Sequence, residues 1–348
     1  MASKNVFAAL AVDQHDDDYL GVSTEPVTSV QVDALVALKI AKHAKDLYPA
    51  AVTGALLGMD IDGVLEVTQS YPYLAKARRG RDNDDNDDDA AELDEHYQVD
   101  MLKCLRQVNA DANTVGWYHA APLSHFLQYS WVANQAEYQT SIPQSVVLEY
   151  DPLASQTGTL ALRAFRLTDA FYALLKAKSK HSINSEAVTA SGLLESGLIE
   201  ELPVTIRNAH VVSALLYSQN LTAHSIAAPM PGVDRSTYVA KHANALLETL
   251  DDLAGEHARY AGWHRAYTRD KARMDATLHR KRQENPAEAE ALAKQLAAKL
   301  PNEPSKVDSL LLSHQAGQHC ELLDAFLAPA VLSVETARVA VGAEPAHE

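Results

Sequence analysis

The stretch that most limits what this chain can fold into is Val115-Gly116-Trp117-Tyr118-His119-Ala120-Ala121-Pro122. Residues 114–119 read as a strand, and the largely helical stretch expected over 123–139 carries Ser130-Trp131-Val132-Ala133-Asn134-Gln135. Other segments supply the strand with a sheet. Residues 50–59 read as a buried strand, Asp60-Ile61-Asp62-Gly63 as a turn, and 64–70 as the returning partner. Ahead of this hairpin, 27–32 alternates weakly as a strand, and Asp33 suits the N-cap of a helix. In that helix Leu35, Leu38, Ile40, Ala41, Ala44 and Leu47 recur at roughly helical spacing until Tyr48-Pro49 stops it. Ser145-Val146-Val147-Leu148-Glu149-Tyr150 is a further apolar strand. Residues 160–167 form another, with Leu160, Leu162 and Ala164 on one face and Ala161, Arg163 and Phe165 on the other. A helix is expected over 169–178, an edge strand over 202–206 because Pro203 cannot donate to a ladder, and a short helix over 209–217. The fold class is therefore α/β in the α+β sense: a mixed β-sheet flanked by helices, followed by a C-terminal helical region.

A chain of 348 residues, 47% of them apolar, is long enough for two domains with a substantial core. Residues 1–26 show no sustained periodicity and are expected to form a flexible tail; the main domain is expected over 27–220. Pro229-Met230-Pro231-Gly232 marks a linker over 221–234, ahead of a helical bundle region over 235–348. No apolar run approaches the roughly 18 residues of a membrane span, and the start of the chain is too weakly apolar for a secretory signal. Two cysteines far apart, Cys104 and Cys320, fit a reducing, cytoplasmic setting. Cys104 is expected on the apolar stripe of a helix marked by Tyr97, Met101, Leu105 and Val108. The net charge of −16 excludes a chain that is basic throughout, as a free nucleic-acid binder would be. Much of the acid lies in an expected solvated loop over 78–95.

From about Ser236 a long helix is expected. Leu246, Leu253, Tyr260, Tyr267 and Met274 recur every seventh residue, while Leu250 widens the stripe and Trp263 is the one apolar companion three residues on. A seam this narrow needs a partner, either within the chain or in another subunit. Arg265, Arg269, Lys271, Arg273, Arg280, Lys281 and Arg282 decorate the same helix, as a solvated face or as a phosphate contact, which becomes one to rRNA or mRNA only if the family resemblance given below holds. Further helices are expected over 287–300 and from Val307, the latter with Leu322, Leu323, Phe326 and Leu327 as its main apolar residues.

The strand and helix of the opening stretch resemble the metal-binding strand and helix of the MPN/JAMM family, the fold of zinc-dependent isopeptidases that remove ubiquitin-like proteins. Active members read Val-Gly-Trp-Tyr-His-Ser-His-Pro, followed by Ser-x-x-Asp. Side chains two apart on a strand share a face, so two imidazoles and the helix Asp hold one zinc, whose bound water is the nucleophile. This chain keeps His119 and Ser130 as remnants. The second histidine position is Ala121, and the Asp position is Ala133 if one residue is inserted, or Val132 if none is. Active members also place a catalytic Glu three residues before a Gly-x-x-x-Gly segment. Here that segment is Gly54-Ala55-Leu56-Leu57-Gly58, and the position holds Ala51. His125 does not stand at a strand-pair spacing from His119. The resemblance thus implies the fold with no cofactor, no metal and no catalysis; a zinc isopeptidase would need a site rebuilt from other residues.

Residues 31–43, Met101 to Asn109 and the Val-Gly-Trp-Tyr strand, Ser145 to Pro152, and the later Asp308-Ser309-Leu310-Leu311-Leu312 resemble more narrowly the H-subunit family of eukaryotic translation initiation factor 3. That resemblance implies a non-catalytic scaffold subunit, acting in initiation on the small ribosomal subunit. It also implies pairing with a second MPN-domain subunit, and carboxy-terminal helices in a bundle shared with PCI-domain subunits. A non-catalytic MPN subunit of the proteasome lid or signalosome has the same physics and differs only in these motifs.

Overall fold

The computed structural model describes residues 26–74, 87–124, 126–155, 160–177, 183–218, 235–284 and 300–341. The expected tail, the linker, His125, the helix over 287–300 but for its last residue, and the first part of the acidic run fall outside these residues. In chain order the elements are β1 (Ser29–Asp33), α1 (Ala34–Leu47), β2 (Val52–Ile61), β3 (Val64–Pro72), α2 (Asp87–Gln107), β4 (Thr114–Ala120), α3 (Tyr129–Ser141) and β5 (Val146–Tyr150). There follow β6 (Leu162–Leu167), α4 (Asp169–Ala177), α5 (Ser185–Ala190), β7 (Ile199–Leu202), β8 (Val204–Arg207), α6 (His210–Ser218), α7 (Arg235–Glu284) and α8 (Val307–Val341). Contacts divide the chain into two units, Met1–Thr168 with Ile199–Lys241, and Asp169–Leu198 with His242–Glu348. The segment from α4 to Leu198, expected within the domain over 27–220, therefore packs with the helical unit.

The first unit is a mixed sheet in the order β7-β6-β5-β4-β2-β3-β1-β8. Its central β2 pairs antiparallel with both β3 and β4, and the hairpin to β3 turns at Asp62 and Gly63, both with positive φ. One core lies between α1 and the sheet, built from Val36, Ile40, Leu56, Val67, Tyr118 and Leu148 among others. A smaller cluster joins Ala55, Leu57 and Tyr71 to Leu102 on α2.

Three expectations change here. The stripe of α1 that meets the sheet is Val36, Ala37, Ile40 and Ala44, whereas Leu35 and Leu38 are 50% and 68% exposed. The inward face follows i, i+4, i+8 from Val36, and the leucines lie off it. Second, residues 87–95 are helical, not loop, since α2 begins at Asp87. Its first turns are rich in Asp and Glu, whose charge suits the positive end of the helix dipole. On this helix Cys104 is exposed, while Leu102 and Gln98 are buried. Third, the expected edge strand over 202–206 is two strands broken at Pro203. The first half pairs antiparallel with β6 and the second parallel with β1. One extended segment thus joins the two ends of the sheet, and the Pro203 carbonyl accepts a bond from the Val30 N–H at 3.0 Å.

α7 runs for 50 residues and belongs to the second unit from His242 onward. His242 on α7 meets His319 on α8 with ring centroids 5.8 Å apart, and the Lys306 ammonium lies 3.0 Å from the Tyr260 ring centre. The two helices therefore run antiparallel. Trp263 donates its indole N–H to the Pro301 carbonyl at 3.1 Å. Leu246, Leu253, Tyr260, Trp263, Tyr267 and Met274 are all half-buried, with His242, Thr249 and Leu278 buried on the same side. The companion positions that look poor in sequence, Thr249, Glu256 and Asp270, also turn inward. Leu250 lies 43% exposed, off the seam. Among the described residues no helix is long and apolar enough to cross a membrane.

Candidate functional site

β4 delivers the opening stretch to the middle of the sheet, between β2 and β5. Gly116 is required there: a Cβ on it would collide with the Val146 carbonyl of β5, so only glycine lets the two strands pair at this point. Alternation then sends Tyr118 and Ala120 into the main core, while Trp117 and His119 serve the side covered by α3. Trp117 donates its indole N–H to the side chain of Gln135 at 2.7 Å, and Gln135 in turn donates to the Ser145 carbonyl at 3.1 Å. The ring of Trp117 stacks on Tyr138, whose hydroxyl bonds that of Tyr73. On the core side the Tyr118 hydroxyl and Nδ1 of His43 are hydrogen-bonded at 2.9 Å. Burial pushes the Tyr118 phenol up, with a smaller contribution from Tyr97, and pushes the His43 imidazole down, so both groups are held neutral.

His119 has a specific partner. The parallel register places it beside Glu149, and its Nδ1 lies 3.1 and 3.0 Å from the two carboxylate oxygens. The same carboxylate accepts the indole N–H of Trp131 at 2.5 Å. Glu149 is buried, and desolvation raises its pKa; the charge of His119 and the bonds from His119 and Trp131 pull the other way, while Asp151 adds a small upward push. The outcome is a half-buried imidazole clamped against an acid, with an indole from the next helix closing the set.

The positions singled out in the sequence gather around this clamp in part. Val52 pairs with Ala120 and Thr53 with His119, so Ala51 stands opposite Ala121 as the ladder is extended. Ala121 is buried and donates its N–H to the Tyr150 carbonyl at 3.2 Å; Ala51 and Ser130 are exposed, and Ala133 on α3 is half-buried. These residues do not fit a zinc ion. Three of the four relevant positions end in a methyl group, which has no lone pair to offer a metal or a proton, and a single histidine is too few ligands to hold zinc. Among the described residues no group of three or more His, Cys, Asp or Glu side chains is placed to hold a metal. The seam and the arginines of α7 belong to the other unit. Sequence reasoning missed Glu149, Trp131 and Gln135. The signal for Glu149 was a single acid inside the apolar run 145–150.

Residues 25–144 match the family described as JAB1/Mov34/MPN/PAD-1 ubiquitin protease, and residues 155–342 match the C-terminal region of eIF3h. The H subunit of eukaryotic translation initiation factor 3 from Emericella nidulans is 30% identical, over 87% of this chain and 92% of that protein. The protein of the same name from Pyricularia oryzae is 31% identical over 87% and 93%, and that from Arabidopsis thaliana 31% over 85% and 87%. The chain belongs to the H-subunit family of eukaryotic translation initiation factor 3. In this eIF3h family member β1 to β4 and α1 to α3 fall within the stretch that matches the MPN family, and β6 to β8 with α7 and α8 fall within the stretch that matches the C-terminal region of eIF3h. The expected fold class is therefore the observed one.

Proposed function

We propose that this chain is a non-catalytic scaffold subunit of translation initiation factor 3, acting in the cytoplasm during initiation on the small ribosomal subunit. The observation that carries it is the family match along nearly the whole chain, combined with alanine at Ala51, Ala121 and Ala133, the positions that motif spacing gives to the ligands and base of an active MPN site. A chain with this site contributes surfaces, not bond cleavage. The proteasome-lid and signalosome readings draw no support from the relatives, each of them an H subunit of initiation factor 3.

Two surfaces support the scaffold reading. Adjacent parallel strands β1 and β8 lead out in the same direction into α1 and α6, so Leu35 and Leu38 lie at the same end of the sheet as Ile206, Val211 and Leu215. Val211 is 81% and Leu215 56% exposed, an apolar concentration that suits a second MPN domain. On α7, Leu246, Leu253, Tyr260, Trp263, Tyr267 and Met274 are only half covered by their own chain, and Leu250 extends them outward. These residues suit a bundle shared with PCI-domain subunits. Affinity purification of the tagged chain from its own cells tests the proposal: initiation-factor subunits and small-subunit ribosomal proteins should accompany it. Recovery with proteasome-lid or signalosome subunits, or alone with stoichiometric zinc, would overturn it.

A further inference from the structure

We propose that Arg265, Arg269, Arg273 and Arg280 on α7 form a contact site for the phosphate backbone of RNA. The choice of RNA over other polyphosphates rests on the initiation-factor reading; the site itself rests on the geometry that follows. At 3.6 residues and 5.4 Å per turn, these four positions fall within an arc of about 80° and span about 22 Å of helix. That arc lies opposite the seam, because His242, Thr249 and Leu278 are the buried residues of the helix and the four arginines are exposed.

The composition of this face singles out an anionic partner. Between the arginines it carries Ala272 and Ala276, both exposed, and no acid. The nearest carboxylate, Asp270, sits half-buried to one side, 3.4 Å from Arg269 and 3.8 Å from Arg273, as surface pairs that leave those side chains 63% and 73% exposed. Arg265 donates its Nε–H to the Ala261 carbonyl of its own helix at 3.2 Å. A protein interface centres on large apolar or aromatic anchors, and this stripe presents none. Guanidinium forks in a row, on a smooth helix, match a repeating phosphate instead. The stripe also stands out against the chain's net charge of −16, so the surface at large repels a polyanion. Lys271 does not belong to the site: it points to another side of α7, with its ammonium 5.8 Å from the Tyr267 ring centre. The side chains of Lys281 and Arg282 lie outside the described residues.

The test uses the full chain and a fluorescein-labelled, unstructured 20-nucleotide RNA in fluorescence anisotropy at 50 and 200 mM KCl. Four phosphate contacts to a single strand predict a slope of about −2.8 in log K against log salt, or a loss of about 50-fold across that range. R265Q/R269Q/R273Q/R280Q should weaken binding by about 10-fold or more at 50 mM KCl and flatten the slope, with unchanged helical circular dichroism. The control K42Q/K45Q, on α1, should bind within about twofold of the unaltered chain. Equal binding by the quadruple variant overturns the proposal. So does displacement of the RNA by poly-glutamate at equal charge concentration, which would assign the stripe to an acidic protein segment. The quadruple variant is also purified from cells: retained initiation-factor subunits are expected, and their loss would make the stripe a subunit interface. Failure of the scaffold reading would show separately, as the unaltered chain recovering no such subunits.

Discussion

At the scale of single residues, one acid organises the hydrogen bonds around β4, since Glu149 binds both His119 and Trp131. E149Q keeps the shape: its amide oxygen accepts from Trp131 and its amide donates to neutral Nδ1 of His119. It should cost no more than about 1 kcal/mol in urea unfolding. E149A strands both partners and should cost about 2–4 kcal/mol. The pH dependence has a definite sign. Burial raises Glu149 above its ordinary 4.5, so its contribution is complete below that value, where folded and unfolded forms are both protonated. As pH rises, the unfolded chain ionises first, and stability is lost until the folded group ionises as well. The melting temperature of the unaltered protein relative to E149Q should therefore fall as pH is raised upward from about 4.5; a flat difference would show that the acid carries no such burden.

Elements were legible in the sequence where one force decided them. β4 and the β2–β3 hairpin follow from apolar runs and an Asp-Gly turn, and of the candidate site motif spacing picked out His119 on β4. What could not be read were choices made by tertiary contacts. Which leucines of α1 face inward depends on where the sheet lies, and Leu38 has the same helical spacing as Ile40 within its own segment. The partner of His119 is set by a parallel register 30 residues away, which local periodicity does not encode. On α7 the apolar residues every seventh position could be read, whereas the inward turn of Thr249, Glu256 and Asp270, which makes a seam of mixed polarity, could not. Such a seam is marginal within the chain alone. L246A/L253A/Y260A should release the protein from its complex and increase protease cleavage over 242–341, while the MPN domain keeps its melting transition. Unchanged co-purification with unchanged cleavage would remove the seam from the interface.

For the whole molecule, assembly should depend on helices. L38K/L215K places charge in the apolar concentration at the ends of α1 and α6, both exposed, and should change unfolding free energy by no more than about 0.5 kcal/mol. Pull-down of a second MPN subunit should nevertheless be lost, and retention would place that subunit elsewhere. The segment through Pro203 bears on this in another way. A sheet with a long open border can be lengthened by any passing strand, and so recruits neighbours without discrimination. Here that border is cut to four residues at either end, since β7 and β8 are consecutive strands of four residues each and occupy both ends of the strand order. A subunit that must sit at one defined place in a crowded multi-protein particle gains from this: its choice of neighbour is left to side chains on helices, which carry an address, and withheld from backbone amides, which carry none.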